Sequence, residues 1–156
     1  MPDPILICGV TGQDGALLAA NLLGDGFEVH GTSRDAQSCD RWRLRELGID
    51  GRVPIHSMAP NDFRSVINVF SKVRPSIIYN LAGQTSVGLS FDQPVESLES
   101  IVAGTLNLLE AIRLLRLPAR LFNAGSSEAK LHSFIARLFE PRSSFSASAT
   151  IAGCLA

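Results

Sequence analysis

Apolar residues follow two rhythms along this chain, short unbroken runs and stripes repeating every three or four positions, and the two alternate. Ile5 to Cys8 is too short for a buried helix and reads as a strand covered on both faces. A helical pattern follows, with Leu17, Leu18 and Leu22 on one side, until Gly24-Asp25-Gly26 stops it. Phe27 to Thr32 gives a second strand, Arg41 to Leu47 a short charged helix, and Val53 to Met58 a third strand. Pro60-Asn61 predicts a helix start with Asn61 as N-cap, because Phe63, Val66, Ile67 and Phe70 then share one face. Pro75 ends that helix, Ser76 to Leu81 is a fourth strand, and a long helix runs from Pro94 to Leu117 before Pro118. Ala119 to Ala124 is the fifth strand. This alternation predicts an α/β fold with a doubly wound, mostly parallel sheet.

The long helix carries two apolar stripes, Leu98, Val102, Leu109 and Ile112 on one and Ile101, Leu108 and Leu115 on the other. One stripe suffices to cover the sheet. The second suits either a partner subunit in a homo-oligomer or a further domain of the same chain.

Between the first strand and its helix lie Gly9, Gly12 and Gly15, spaced G-x-x-G-x-x-G. Strand, glycine turn and helix together are the context that makes such spacing a dinucleotide phosphate site. Gly9 lets the chain turn, Gly12 leaves no Cβ between backbone and pyrophosphate, and Gly15 lets the helix close on the strand. The free N–H groups at the helix start then face the anion, aided by the helix dipole. A plain strand–helix turn is the bland alternative.

Composition narrows the class. At 156 residues the chain suits one compact unit, and 46% hydrophobic with 19% charged residues describes an ordinary globular protein. A net charge of −1 gives no reason to expect nucleic acid or an anionic membrane as partner. No apolar stretch would span a bilayer, and Met-Pro-Asp-Pro at the start lacks a basic run, so the expected location is cytoplasmic. Cys8, Cys39 and Cys154 show no C-x-x-C pairing, and His30, His56 and His132 share no ligand spacing, so no metal site is expected. Arg41, Arg43 and Arg45 read as a solvated face rather than a phosphate clamp.

Several segments carry a more specific resemblance. Gly-Val-Thr-Gly-Gln-Asp-Gly at 9–15, Val-His-Gly at 29–31, Ile-Tyr-Asn-Leu-Ala-Gly-Gln at 78–84 and Val-Gly-Leu-Ser-Phe-Asp-Gln-Pro at 87–94 are among them. With Gly-Thr-Leu-Asn-Leu-Leu-Glu-Ala-Ile-Arg at 104–113 and Asn-Ala-Gly-Ser-Ser-Glu at 123–128, they resemble the GDP-mannose 4,6-dehydratases, a group of extended short-chain dehydrogenases. The likeness spans roughly residues 5 to 128 and resumes faintly at Pro141-Arg142-Ser143.

The resemblance implies a Rossmann-like cofactor domain over residues 1–128 and a divergent tail over 129–156. It implies that GDP-mannose becomes its 4-keto-6-deoxy form through a transient hydride transfer to bound NADP. In that scheme a tyrosine, its pKa lowered by a lysine four residues on, takes the O4 proton. The new ketone acidifies the C5 hydrogen, a glutamate removes it, water leaves from C6, and the hydride returns. Glu128 matches the glutamate, and Ser126 the residue that hydrogen-bonds O4. Gly9, Thr11, Gly12, Gln13, Asp14, Gly15, Leu81, Ala82 and Gly83 match cofactor-binding positions, while Gln84, Ser86 and Ser90 fall where substrate contacts are expected. Arg34 matches the arginine facing the 2′-phosphate of NADP, although the adjacent Asp35 keeps NAD as the lesser alternative.

Four features depart from the family. Phe145 and Ala149 stand at the family tyrosine and lysine, and Ser57 replaces an aspartate near the adenine. Ala129 to Phe139 reads as an amphipathic helix where relatives have an irregular loop. The chain ends at Ala156, before the part that holds the sugar nucleotide in relatives, so the carboxy-terminal substrate domain is expected to be missing. A truncated or altered frame after Glu128 accounts for this most simply; a shortened, non-catalytic binding protein is the competing expectation.

Overall fold

A computed structural model describes residues 4–82 and 94–124, with the side chains of the last helix described from residue 102. The expected tail helix at 129–139 lies outside the described residues. Strands β1 (Ile5–Cys8), β2 (Val29–Ser33), β3 (Ile55–Ser57), β4 (Ile77–Asn80) and β5 (Arg120–Asn123) form one sheet ordered β3-β2-β1-β4-β5. All four pairings are parallel. The order reverses between β2 and β4 on either side of β1, which places the switch point of a doubly wound sheet at the glycine turn.

Helices α1 (Gln13–Gly24) and α2 (Trp42–Glu46) serve one face of the sheet; α3 (Phe63–Val73) and α4 (Pro94–Leu114) serve the other. The α3–α4 face is the greasier layer, built on Leu6, Met58, Phe70, Ile78 and Leu108. The α1–α2 face rests on Ile7, Val10, Ala16, Ala19, Val29 and Leu44. Every side chain of β1 is buried, as its unbroken apolar run requires. No helix of the described residues is long and apolar enough to cross a membrane.

Three local expectations are corrected. In α1 the buried face is Gly15, Ala16, Ala19 and Leu23, whereas Leu17 is 49% exposed. The small residues let α1 lie close on the sheet, and the leucines fill the margins. At α3 the cap is Asp62 rather than Asn61: its Oδ1 accepts the Arg64 N–H at 3.1 Å. The long helix ends at Leu114, and Arg116, with φ of 48°, turns the chain three residues earlier than Pro118 alone suggested. Its stripe residues Leu108, Leu109, Ile112 and Leu115 all meet the same core, so neither stripe is left over at the carboxy-terminal end.

Candidate functional site

The turn after β1 is built from backbone. Gly9 has φ of +83°, a conformation side chains resist, and a Cβ there would sit 3.1 Å from the Ala82 nitrogen. At Gly15 a Cβ would meet the Gly9 carbonyl oxygen at 2.4 Å and Val10 Cα at 2.8 Å, so only glycine allows α1 to approach this closely. Gly12 differs. A Cβ there would find one neighbour within 4 Å, the Gly9 carbonyl oxygen at 3.3 Å, a tight contact that asks this oxygen to give by a few tenths of an ångström, so packing constrains Gly12 less than Gly15. Gly12 is the exposed N-cap of α1 and offers no side-chain cap.

The first helical bond is Ala16 N–H to the Gly12 carbonyl at 3.0 Å. The N–H groups of Gln13, Asp14 and Gly15 therefore precede the helical ladder and stand at the positive end of the dipole. That donor set fits an anionic group such as a dinucleotide pyrophosphate. Gly9 and Val10 donate to the Thr32 carbonyl at 3.1 and 3.4 Å, holding the turn against the end of β2.

The segment leaving β2 is built from side chains instead. Arg34 is exposed, two residues past Thr32. Asp35 accepts the Ser38 hydroxyl at 2.6 Å and the N–H groups of Gln37 and Ser38, and these bonds hold its carboxyl below the usual carboxylate range. Ser57, at the end of β3, accepts the Ala36 N–H at 3.0 Å, so it pins this loop to the sheet edge.

The arginines of α2 are not the uniform solvated face expected. Arg41 donates to the Ala36 carbonyl at 2.9 Å and pairs with Asp50 at 3.6 Å; Arg45 pairs with the same carboxylate at 4.0 Å. Arg43 points the other way. It donates to the Thr11 carbonyl at 3.4 Å, and its guanidinium carbon lies 4.6 Å from the Trp42 ring centroid. Helical spacing was the available signal, since positions two apart fall on opposite faces and positions four apart share one.

On the other side of β1, the Leu81 N–H donates to the Cys8 carbonyl at 3.0 Å, bringing Leu81 and Ala82 against Gly9. Asn80 and Asn123 meet in the buried layer at the ends of β4 and β5, 2.6 Å apart, and Asn80 Oδ1 has no partner among the described residues. Cys8 beneath them is inert, its thiol pushed up to about 12 by burial, against a smaller lowering by Thr32. Tyr79, the chain's one tyrosine, is packed against Phe122 in the sheet. Gly83, Gln84, Ser86, Ser90, Ser126, Glu128, Phe145 and Ala149 lie outside the described residues.

A second polar cluster sits at the β3 edge. His30 Nδ1 and His56 Nε2 are 3.0 Å apart, His30 Nε2 is 2.9 Å from Glu28, and the rings stack. Desolvation first, then the positive fields of His30 and Lys72, lower the His56 pKa. An open groove of about 530 Å³ runs past His56, Ser57, Arg41 and Lys72. Among the described residues no group of acidic, histidine or cysteine side chains is arranged to hold a metal.

Comparison with known proteins agrees with this geometry. The family described as GDP-mannose 4,6 dehydratase matches residues 6–152. The GDP-mannose 4,6-dehydratase of Vibrio cholerae is 38% identical over 135 residues, covering 82% of this chain and 36% of the relative. The Homo sapiens GDP-mannose 4,6 dehydratase is 35% identical over 131 residues, covering 79% and 35% respectively. The chain thus spans about a third of the length of the curated relatives it matches. Among solved structures, the Thermus thermophilus UDP-glucose 4-epimerase complexed with NAD superposes with a TM-score of 0.68 at 30% identity, over 79% of this chain and 37% of the epimerase. The Bifidobacterium longum UDP-glucose 4-epimerase, solved with NAD+ and UDP, shares the fold with a TM-score of 0.69 at 21% identity, over 80% and 37%.

Proposed function

The chain belongs to the GDP-mannose 4,6-dehydratase family, and from that premise we propose that it is the NADP-binding part of a sugar-nucleotide 4,6-dehydratase acting on GDP-mannose. The observation that carries the reading is the glycine turn, where Gly9 is demanded by its positive φ and Gly15 by packing, while Gly12 has ordinary φ and a single close neighbour. A glycine that the fold constrains so much less than its two neighbours, at the exposed helix start, suits close approach by a ligand. Bound there, the dinucleotide supplies a nicotinamide that can accept a hydride from the sugar and give it back.

The protein's own groups divide the remaining work. Thr11, Gln13, Asp14 and the α1 N-terminus hold the pyrophosphate, with Leu81, Ala82 and Gly83 lining the opposite wall. Arg34 meets the 2′-phosphate and favours NADP over NAD. Ser126 hydrogen-bonds the sugar O4, Glu128 takes the C5 proton, and Gln84, Ser86 and Ser90 contact the sugar nucleotide. This assignment goes with a cytoplasmic location and with a homo-oligomer.

The tail favours a second reading of this 156-residue chain, a dinucleotide-binding piece without turnover. Phe145 and Ala149 leave no base at O4, and an unassisted Ser126 hydroxyl is a poor one. Loss of a positioned base costs roughly 10²–10⁴-fold in rate.

Two measurements test the proposal. In a fluorescence titration, NADPH binds more tightly than NADH, and Arg34→Ala weakens NADPH by about 10-fold or more while sparing NADH. An equal loss for both makes Arg34 a surface charge only. With NADP and GDP-mannose added, the purified chain forms no 4-keto-6-deoxy product at a useful rate; turnover like that of a full-length relative places the base elsewhere.

A further inference from the structure

Of three arginines spaced two residues apart, two reach one neighbouring carboxylate and the third does not. Arg41 and Arg45 lie four apart, so they fall on one side of α2 and both reach Asp50. Arg43 falls on the opposite side, where no carboxylate oxygen of the described residues comes within ion-pair distance. A guanidinium has five N–H donors. Among the described residues Arg43 uses its Nη1 alone, in a long 3.4 Å bond to the Thr11 carbonyl. The ring of Trp42 backs the group and restricts its orientation. The result is a half-buried, oriented cation with open donors at the glycine turn.

Its side of the turn matters. Thr11 lies on the stretch that Gly9 and Val10 tie to the Thr32 carbonyl at the end of β2, and Arg34 follows two residues later. In this fold that flank faces the adenosine ribose, where an arginine accommodates a 2′-phosphate. We propose that Arg43 is a second cationic arm for the 2′-phosphate, so that α2 and the β2 loop select the phosphorylated dinucleotide together. The inference rests on the NADP reading above. A phosphate dianion has three terminal oxygens, more than one arginine fork can satisfy, and the planar fork suits two of them at once.

The test compares Arg43→Gln with Arg41→Gln in the full 156-residue chain. Both variants lose one positive charge, but only the first loses it at the turn. Affinities are read for NADPH and NADH, and for 2′,5′-ADP and 5′-AMP, which differ by the 2′-phosphate alone. R43Q weakens NADPH and 2′,5′-ADP by about 10- to 100-fold and changes NADH and 5′-AMP less than about 3-fold, while R41Q changes all four less than about 3-fold. Equal losses for NADPH and NADH make Arg43 a brace for the turn and overturn the proposal, as does an R41Q loss equal to that of R43Q. Arg43→Lys keeps one donor for Thr11 and loses the fork, so it reads the same contrast if R43Q does not fold. Failure of the NADP reading shows in the wild-type chain, as no preference for NADPH over NADH, and removes this inference with it. A wild-type preference that R43Q retains removes this inference alone.

Discussion

The two turns that leave β1 and β2 stand side by side and are made in opposite ways. After β1 the chain uses three glycines and almost no side-chain bonding, and at Gly9 and Gly15 its shape is fixed by backbone contacts that an added methyl group would disturb. After β2 it uses side chains: Asp35 and Ser38 bond within a partly exposed loop, Ser57 at the end of β3 accepts the Ala36 N–H, and Arg41 donates to the Ala36 carbonyl. Backbone geometry of the first kind is stiff and tolerates little substitution. Side-chain geometry of the second kind loses little when any one bond is removed, because water replaces it. The first turn suits a group common to all dinucleotides, and the second suits the part that distinguishes them.

The contrast can be broken most forcefully at Gly15. Gly15→Ala drives a Cβ onto the Gly9 carbonyl and Val10, backbone atoms that cannot rotate away. A loss of about 3 kcal/mol is expected, or about 10 °C in the thermal midpoint. A shift below about 3 °C would show that the first turn yields as readily as the second. Asp50→Asn is the matching change on the other side. It releases Arg41 and Arg45 to water, and its chemical-denaturation midpoint should report a loss below about 1 kcal/mol, since the three side chains are partly solvated. A loss as large as that at Gly15 would mean that the loop depends on this carboxylate as a rigid part.

The smallest effect concerns the histidine pair at the sheet edge. The folded state holds the His56 pKa below its ordinary value, so folding favours the neutral ring. The associated stability is present above about pH 6.5 and is lost as pH falls from there through the lowered pKa. His30 and Lys72, the cations facing the ring, reinforce this. Urea midpoints at pH 8 and pH 5.5 should show a shallow decline that His56→Gln removes. An unchanged slope in the variant would assign the decline to other groups.

The same contrast explains what could be read beforehand. The five strands, their parallel arrangement and the glycine turn follow from apolar runs and steric limits, which are local properties of the chain. Strand ends moved by a residue or two, as at β2 and β3, because pairing with neighbours decides where a ladder stops. In α1 the leucines mark the most apolar side, but close approach to a sheet selects glycine and alanine for the buried face, which hydrophobicity alone does not reveal. Asn61 and Asp62 are equally good caps in composition, and only the position of the Arg64 N–H separates them. For the arginines the helical spacing was visible, but the deciding fact was Asp50 several residues downstream, which the fold brings to one side of α2.

Sheet order also sets a schedule for synthesis. β1 lies between β2 and β4, and the contact of Pro4 with Ser76 that opens the β1–β4 seam joins residues 72 apart in the chain. A ribosome adding about 5–20 residues per second leaves β1 without that neighbour for about 4–14 s. During that interval Ile5-Leu6-Ile7-Cys8, the most apolar strand in the centre of the sheet, has at most β2 beside it. The first of the five strands to be made waits longest for its second neighbour, and its exposure to chaperones or to neighbouring nascent chains is longest where the finished sheet hides it best.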